Sequence, residues 1–335
     1  MMRRLRYIRL SALLLVLSFA LLGCGGGMKK VSETRELMGT IVTITVYDES
    51  SSRARKAIDA AFKEMEKVDR LMSTYKKESE VSRLNRDGYL KNPSRELMYV
   101  IERSLYYSRL SDGAFDITVQ PILKLYTHTY KDLGRPPTEK ELERARELVG
   151  YENILLGRDE IRLNRKGAMI TLGGIAKGYA IDMAIESLER NGIKSALVNA
   201  GGDIRAIGAK PGGERWHIAL QNPRKKGDYI TIVYVVDKAV ATSGDYERYF
   251  DPNKKVHHII NPRTGRSTRE LISVTIVADK AIDADALATT VFVLGPERGL
   301  QLIESTDRVE GLLITQDRRI IRSSGFGLFE GLLTR

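Results

Sequence analysis

The stretch Thr171-Leu-Gly-Gly-Ile-Ala-Lys-Gly-Tyr-Ala-Ile-Asp182 predicts a strand end, a glycine turn and an amphipathic helix in succession. Glycines let a backbone approach a ligand closely, and a helix N-terminus presents unpaired N–H groups at the positive end of its dipole. Lys177 adds a positive charge at the same place. The stretch therefore predicts an anion site for a phosphate or pyrophosphate, although such turns also occur for packing alone.

A second stretch, Asp283-Ala-Asp-Ala-Leu-Ala-Thr-Thr-Val-Phe292, has the apolar spacing of a helix. Asp285 and Thr289 are four residues apart, so their oxygens lie on one helical face. A carboxylate, a hydroxyl and a carbonyl are the hard oxygen donors that Mg²⁺ or Ca²⁺ takes. The alternative is an acidic first turn that only complements the helix dipole. Together the two stretches favour a metal-bound pyrophosphate.

The N-terminal residues have the pattern of an export signal. Arginines 3, 4, 6 and 9 precede an apolar segment at 11–22, and Gly23 stands before Cys24. Cys24 is the only cysteine, which excludes an intramolecular disulfide, and its position resembles the lipobox of bacterial lipoproteins. We therefore expect a signal peptide at residues 1–23, lipidation of Cys24, a flexible tether at 24–35, and one folded domain at 36–335.

Removal of the signal takes away four arginines, which lowers the formal net charge from +11 to +7. This basic excess is spread along the chain, as is typical of a solvated surface, and it also fits an anionic lipid surface or ligand. The sequence has no nucleic-acid module, zinc-ligand spacing, P-loop or GxGxxG motif. Composition thus predicts a soluble body that is tethered to a membrane and does not bind nucleic acid.

Predicted helices and strands alternate without a regular βαβ order, and several strands form hairpins. The fold class expected is α+β with mixed or antiparallel sheets rather than a doubly wound fold. The sequence predicts helices at 51–72 (capped by Ser52), 94–110, 138–149 and 297–305, strands at 40–47, 196–199, 216–220, 229–236 and 272–277, a short strand after the turn in 112–119, and a hairpin of 309–315 with 319–322.

Two adjacent histidines are candidates for general-base chemistry. His257 and His258 precede a turn at Asn261-Pro-Arg-Thr-Gly265, and alternation along a strand sends their rings to opposite faces. One of them can therefore serve a pocket as a base near neutral pH, while a backbone-satisfied structural histidine is the alternative. Thr242-Ser-Gly-Asp245 lacks the frame of a nucleophilic serine turn, and its hydroxyl and N–H groups fit an anion better.

Aromatic and acidic residues offer further contacts to a planar ligand. Tyr75, Phe115 and Tyr179 either stack on a ring or fill the core. Asp116 is suited to hydrogen-bond a heterocycle or ribose, and Asp203, after two glycines, is either a turn cap or a polar contact.

The combination of motifs resembles the ApbE family, the FAD:protein FMN transferases. The similarity spans roughly residues 36 to 330, and its blocks occur in the family's order. They are Met38-Gly-Thr40, Ser73-Thr-Tyr75, Ser79-Glu-Val-Ser-Arg-Leu-Asn85, Asp112-Gly-Ala-Phe-Asp116, Leu172-Gly-Gly-Ile-Ala-Lys-Gly-Tyr179, Asn199-Ala-Gly-Gly-Asp203, Ala241-Thr-Ser-Gly-Asp245, His258-Ile-Ile-Asn-Pro-Arg-Thr-Gly265 and Ala284-Asp-Ala-Leu-Ala-Thr289.

The resemblance implies roles for individual residues. Asp285 and Thr289 match Mg²⁺ ligands, assisted by a backbone carbonyl near Gly174, and His258 matches the catalytic base. Thr171 stands where the family commonly has an aspartate, and Asn261 replaces the usual aspartate before Pro-Arg-Thr-Gly. Positions that match FAD contacts are Met38, Tyr75, Ala114, Phe115, Asp116, Thr171, Lys177 and Ile259.

The activity implied is Mg²⁺-dependent transfer of FMN from FAD to a serine or threonine of an acceptor protein, with release of AMP. The expected partners are FAD as substrate and exported or membrane redox proteins as acceptors. The expected location is the bacterial cell membrane, with the lipid-anchored protein facing the periplasm or exterior. Two alternatives remain open: an FAD pyrophosphatase that yields FMN and AMP, and a non-enzymatic FAD-binding lipoprotein. Mn²⁺ and Ca²⁺ also accept these oxygen donors.

Overall fold

The structure is a computed structural model that describes residues 27–251, 253 and 256–331. The predicted signal at 1–23 and Cys24 lie outside these residues. The helices within the described part are α1 (Ser51–Met72), α2 (Glu80–Asp87), α3 (Arg95–Leu110), α4 (Gln120–Lys131), α5 (Glu139–Arg146), α6 (Ala176–Arg190), α7 (Ala281–Leu294) and α8 (Pro296–Glu304). The strands are β1 (Lys29–Leu37), β2 (Thr40–Asp48), β3 (Tyr89–Lys91), β4 (Ile154–Leu156), β5 (Glu160–Leu163), β6 (Ala196–Ala200), β7 (Asp203–Ile207), β8 (Trp216–Gln221), β9 (Tyr229–Val235), β10 (Ala239–Gly244), β11 (Ile260–Asn261), β12 (Arg266–Ser267), β13 (Leu271–Ala278), β14 (Glu310–Thr315) and β15 (Ile320–Arg322).

A sheet of eight antiparallel strands forms the centre of the fold, in the order β1-β2-β6-β7-β10-β13-β14-β15. Smaller sheets are formed by β3-β5-β4, β8-β9 and β11-β12. The α+β class with antiparallel sheets is therefore confirmed.

The edge strand β1 corrects the predicted tether. Residues 29–35 were expected to be flexible, but they pair with β2 from Lys29↔Asp48 to Leu37↔Thr40. Alternation of side chains along Lys29–Leu37 buries Val31 against the core, and this burial favours strand over tether. The folded body thus begins near residue 29 rather than 36.

The two faces of the large sheet carry separate apolar cores. On one face α1, α6 and α7 pack against the strands, and α1 contributes an apolar stripe that includes Ala57, Ala61, Met65 and Val68. The other face is covered by the β8–β9 hairpin, which buries Trp216. The result is a layered α/β/β arrangement, typical of a sheet that must bury both faces.

Nearly every residue of helix α7 is buried. Its sequence is apolar on nearly every side, and it packs against α6, α8, β10 and β13. A helix that is apolar all round is stable only when it is buried on all sides. Polar residues on α7, Asp285 above all, are consequently held away from bulk water.

Several local predictions differ from the structure. The segment 112–119 ends in a 3₁₀ turn at Ile117–Val119 followed by α4, because Asp116 accepts hydrogen bonds from Thr118 as an N-cap. Residues before Gly173 do not form a strand, and 242–245 lies mostly in strand β10 rather than a turn. The cap of α1 is Ser50, not Ser52. Within the described residues, no helix combines the length and apolar character needed to cross a membrane.

Candidate active site

Helices α6 and α7 meet at a glycine. A Cβ on Gly178 would overlap the carbonyl oxygen of Ala281, so only glycine allows this close crossing. Gly178 is in the first turn of α6, where backbone N–H groups have no partner within the helix. Its N–H donates to Oδ2 of Asp285 at 2.9 Å. The anion site predicted at the start of α6 is therefore occupied in part by a carboxylate of the protein itself.

Asp285 is a buried carboxylate, 5% exposed. Burial, together with the nearby negative charge of Asp203, raises the pKa of Asp285 to about 7, although Lys177 and the Gly178 N–H oppose the shift. The raised pKa means that the nearby Lys177 charge and the Gly178 N–H do not offset the cost of burying the ionised carboxylate. A divalent cation would supply the missing positive charge, which supports the predicted metal role.

Lys177 forms an ion pair with Asp203, with Nζ 2.9 Å from Oδ2. Burial opposes the charge of Lys177, yet the Asp203 and Asp285 carboxylates hold its pKa above its ordinary value. Asp203 opens β7 directly after Gly201 and Gly202, which adopt φ of 61° and 98° that favour glycine. The glycine turn thus places a carboxylate opposite the start of α6.

Thr289 lies beside the glycine segment that precedes α6. A Cβ built on Gly174 would be 3.0 Å from Thr289 Oγ1, and Ser243 Oγ on β10 is 3.2 Å from the same hydroxyl. Asp285 and Thr289 share a face of α7, and the Gly174 carbonyl precedes the N-cap of α6. The Asp285 carboxylate and the Thr289 hydroxyl therefore lie on the face of α7 that meets the start of α6 and the Gly174 segment.

This set of donors fits a hard cation such as Mg²⁺, which commonly keeps water or phosphate in its other positions. Across the described residues, no group of three or more His, Cys, Asp or Glu side chains is arranged to hold a metal. One carboxylate beside neutral oxygens suits a hard metal that is shared with a phosphate-bearing substrate.

The two histidines have different environments. His257 is 4% exposed; its Nε2–H donates to the Thr268 carbonyl at 2.7 Å, and its Nδ1 accepts the Ile259 N–H at 3.3 Å. Both ring nitrogens are used, so His257 is structural. His258 is half-buried, and its Nδ1 faces the Arg248 carbonyl at 3.3 Å.

The Arg248 carbonyl favours the His258 tautomer with hydrogen on Nδ1, which leaves Nε2 as the basic nitrogen. Burial and the positive charge of Arg248, with smaller effects of His257 and Lys177, lower the pKa of His258 to about 4. The imidazole is thus neutral at physiological pH and able to accept a proton.

Asp116 borders an open cavity of about 530 Å³, whose rim also includes Asp112, Tyr151 and Arg263. Its carboxylate accepts hydrogen bonds from Thr118 and from the Tyr151 N–H. Burial raises the pKa of Asp116 to about 6 against these hydrogen bonds. The cavity is suited in size to part of a nucleotide.

Phe115 and the Thr171 segment lie between this cavity and the predicted metal ligands. The Phe115 ring is 3% exposed, packs edge-on against Tyr107 at 6.1 Å, and approaches Gly174. The Thr171 N–H donates to the Ile117 carbonyl at 2.8 Å. The buried ring of Phe115 serves the core, and Tyr179 does likewise beside Tyr99.

The remaining predicted contacts are placed as follows. Met38 forms the β1–β2 turn at φ 54°, at the same sheet end as Gly201. Ala114 is partly buried, and Ile259 is buried beside His257. Tyr75 is 88% exposed, and among the described residues no ring contact joins it to the cluster. The structure therefore brings together Phe115, Gly174, Lys177, Asp285 and Thr289, with His258 nearby.

Sequence reasoning missed several neighbours of the site. Asp203 was left as a turn cap or polar contact, and its pairing with Lys177 depends on two strands and a helix meeting. Asp182 and Arg248 were not singled out, and Ser243 was assigned to an anion rather than to Thr289. The Gly-Gly-Asp pattern was the available signal for Asp203, since glycines before an acid often mark a tight approach.

Comparison with known proteins identifies a family for this chain. The sequence profile of the ApbE family matches residues 38–313. A relative from Haemophilus influenzae named FAD:protein FMN transferase is 30% identical over 325 residues, covering 92% of this chain and 93% of that protein. A relative of the same name from Vibrio cholerae is 31% identical over 294 residues, covering 85% and 87%.

Solved structures agree as well. The ApbE protein from Thermotoga maritima matches with a TM-score of 0.83 at 34% identity, covering 90% of this chain and 100% of that chain. The flavin transferase ApbE from Vibrio cholerae matches with a TM-score of 0.77 at 29% identity, covering 90% and 99%. A family match over most of the chain, with the same fold, establishes that this chain belongs to the ApbE family.

Proposed function

We propose that this chain is an FAD:protein FMN transferase. It would transfer FMN from FAD to a serine or threonine hydroxyl of an acceptor protein and release AMP. The observation that carries the proposal is the convergence of Asp285, Thr289 and Gly174 beside Lys177, in a chain whose relatives bear that name.

The proposed reaction breaks the phosphoanhydride bond of FAD and forms one phosphoester bond to the acceptor. The acceptor hydroxyl attacks the FMN-side phosphorus of the pyrophosphate, the bond from this phosphorus to the bridging oxygen breaks, and AMP leaves with that oxygen. Nε2 of His258 takes the hydroxyl proton, because Nδ1 faces the Arg248 carbonyl and the ring is neutral. Lys177 balances negative charge at the pyrophosphate.

The proposed metal ligands are Asp285, Thr289 and the Gly174 carbonyl. A hard divalent cation bound there would neutralise charge that develops on the departing phosphate. The raised pKa of Asp285 means that metal must compete with a proton for this carboxylate near neutral pH. Mg²⁺ is proposed because hard oxygen donors and phosphate suit it.

We also propose that the protein is attached to the bacterial cell membrane through a lipid on Cys24, with the body facing the periplasm or exterior. Support comes from the basic, apolar and small-residue pattern of residues 1–24. Acceptors would then be exported or membrane redox proteins. Cys24→Ser should abolish lipid labelling and release the protein from membranes; retention of both by the variant would contradict the anchor.

The full-length protein, incubated with FAD, MgCl₂ and a co-expressed redox membrane subunit, tests the main proposal. Transferase activity predicts AMP release, flavin fluorescence on the acceptor band and one covalent FMN by mass spectrometry. AMP and free FMN without labelled acceptor would indicate a pyrophosphatase. FAD binding without AMP would indicate a binding protein.

Two variants of α7 sharpen this experiment. Asp285→Ala should abolish transfer while the protein stays folded. Asp283→Asn is the matched control, because the Asp283 carboxylate bonds Arg103 and Tyr107 rather than the site. Full transfer by Asp285→Ala would refute the proposed role of the cluster.

A further inference from the structure

Asp182 caps a helix other than its own. It lies on α6, one turn after Gly178, and its side chain is 3% exposed. Oδ1 accepts the N–H of Ala281 at 2.9 Å, and Oδ2 accepts the N–H of Ile282 at 2.9 Å. These residues begin α7, whose own N-cap Lys280 provides no side-chain hydrogen bond. Asp182 thus satisfies two of the N–H groups that every helix leaves unpaired at its start.

A cation holds this carboxylate in place. Nη1 of Arg205, on β7, lies 2.7 Å from Oδ1 of Asp182, and the Arg205 side chain is 15% exposed. The Asp182 oxygens therefore have three donors: one from the sheet and two from α7. An anion at a helix N-terminus also gains from the helix dipole. The carboxylate joins α6, α7 and β7 at one point.

Asp182 and Gly178 together hold α7 at two successive positions. The Asp182 carboxylate fixes the first residues of α7, and the Gly178 N–H fixes Asp285 one turn further along. Both groups come from α6, the helix that follows the Gly174 segment. This pair of contacts consequently sets how α7, with Asp285 and Thr289, sits against α6 and the Gly174 segment before it.

We propose that Asp182 is a positioning residue for the proposed metal site: it holds the α7 N-terminus on α6, so that Asp285 and Thr289 keep their places beside the Gly174 segment. The inference rests on the metal role proposed above. Metal sites tolerate ligand displacements of only about 0.2 Å, so loosening one end of α7 weakens metal binding without removing a ligand.

A matched pair of variants tests this role. In Asp182→Asn, an NH₂ group replaces an oxygen that faces an N–H donor, so at least one bond to Arg205 or α7 is lost. In Asp283→Asn, both bonds, from Arg103 and Tyr107, go to Oδ1 and are retained by an amide oxygen. The two substitutions are chemically the same and remove one carboxylate charge each.

Mn²⁺ binding to the full chain, measured by electron paramagnetic resonance, is the readout that does not depend on activity. We expect Asp182→Asn to raise the half-saturating Mn²⁺ concentration about 10- to 100-fold, as supporting residues of metal sites do, and to raise the half-saturating Mg²⁺ for AMP release in parallel. Asp283→Asn should change both less than about threefold. Loss of stability alone would reduce the amount of active protein and leave the half-saturating metal concentration unchanged.

The outcomes are separable. Folded Asp182→Asn that binds Mn²⁺ like the wild type or the control overturns the inference, and so does a wild type that binds no Mn²⁺. A wild type that binds Mn²⁺ through Asp285 but transfers no FMN refutes the proposed function and leaves the inference standing.

A second variant serves if Asp182→Asn does not fold at 15 °C. Ala281→Pro deletes one of the two donated N–H groups, and proline is accepted at the first helical position after an extended residue such as Lys280. The same rise in half-saturating Mn²⁺ is expected from it. Unchanged binding by folded Ala281→Pro overturns the inference.

Discussion

The ammonium group of Lys177 lies 2.9 Å from the carboxylate of Asp203, a residue that is itself only 2% exposed. The same ammonium is close enough to Asp285 for each charge to shift the pKa of the other. One cation therefore serves two buried carboxylates. This arrangement makes Lys177 a structural residue of the FAD-free protein as well as a candidate contact for the pyrophosphate.

Lys177→Met should lower both stability and FAD affinity. Removal of the cation leaves Asp203 and Asp285 facing each other in a poorly solvated site, and breaking a buried pair is costly. With Lys177 partly exposed, we expect a loss of about 2 kcal/mol in the free energy of unfolding, measured by urea denaturation. Lys210→Met, which breaks an exposed pair with Glu214, is the control and should cost under about 1 kcal/mol; equal losses would contradict the prediction.

Asp285→Asn should stabilise the metal-free protein while it inactivates it. Because burial raises the pKa of Asp285 to about 7, the folded protein keeps a proton there that the unfolded chain releases near pH 4. The wild type therefore loses stability as pH rises through this window, and asparagine, which does not titrate, does not. Thermal unfolding in EDTA should show a larger gain for the variant at pH 8 than at pH 5.

An equal effect of Asp285→Asn at the two pH values would contradict this account. In the wild type, Mg²⁺ should raise the melting temperature more at pH 8 than at pH 6, since the metal needs the ionised carboxylate.

Substitution of His258 should affect the transfer rate, whereas substitution of His257 should affect stability. His258→Gln should lower the transfer rate by about 10²- to 10⁴-fold with little effect on folding, as expected for loss of a general base. His257→Gln should instead lower the melting temperature, because hydrogen bonds to Thr268 and Ile259 are disturbed. Stopped assays for AMP, normalised to folded protein by near-UV circular dichroism, measure both. If His257→Gln lowered the transfer rate and His258→Gln did not, His257 rather than His258 would be the general base.

The fall of kcat/KM at acid pH should reflect protonation of Asp285 at the proposed metal site. The pKa of His258 is lowered to about 4, whereas that of Asp285 is raised to about 7. Since kcat/KM reports the free enzyme, we expect activity at limiting Mg²⁺ to fall below about pH 7. Higher Mg²⁺ should move the limb to lower pH by displacing the proton. A limb near pH 7 that does not respond to Mg²⁺ would assign it to another group.

Gly178→Ala should test the close crossing of α6 and α7. A methyl group there would overlap the Ala281 carbonyl, and overpacking of this kind costs about 1–3 kcal/mol, measured by urea denaturation. Gly173→Ala is the control, because its Cβ would meet nothing closer than Thr171 Oγ1 at 3.5 Å. Similar stability of the two variants would show that the helices separate without cost.

The sequence by itself determined the periodic elements and the family. The apolar stripe of α1, the alternation of β2 and the largely apolar run of β13 are local patterns, and burial of one face or both is enough to specify them. The spacing of Asp285 and Thr289 fixed their common helical face before any packing was known. Motif order gave the family in the same way, because each block is read along the chain.

Tertiary structure decided everything that depends on two distant segments meeting. Residues 29–35, predicted as a tether, form part of strand β1 because Val31 packs into the core. Residues 117–119 form a 3₁₀ turn rather than a strand because Asp116 caps it. The separation of 107 residues between Gly178 and Asp285 leaves no periodic trace in the sequence. Burial is the largest cause of the raised pKa of Asp285, and burial is set by which helices and strands surround α7. The protonation state of Asp285 and its position beside Gly178 therefore depend on the folded structure, whereas the residue types and their spacing along the helix are evident from the sequence.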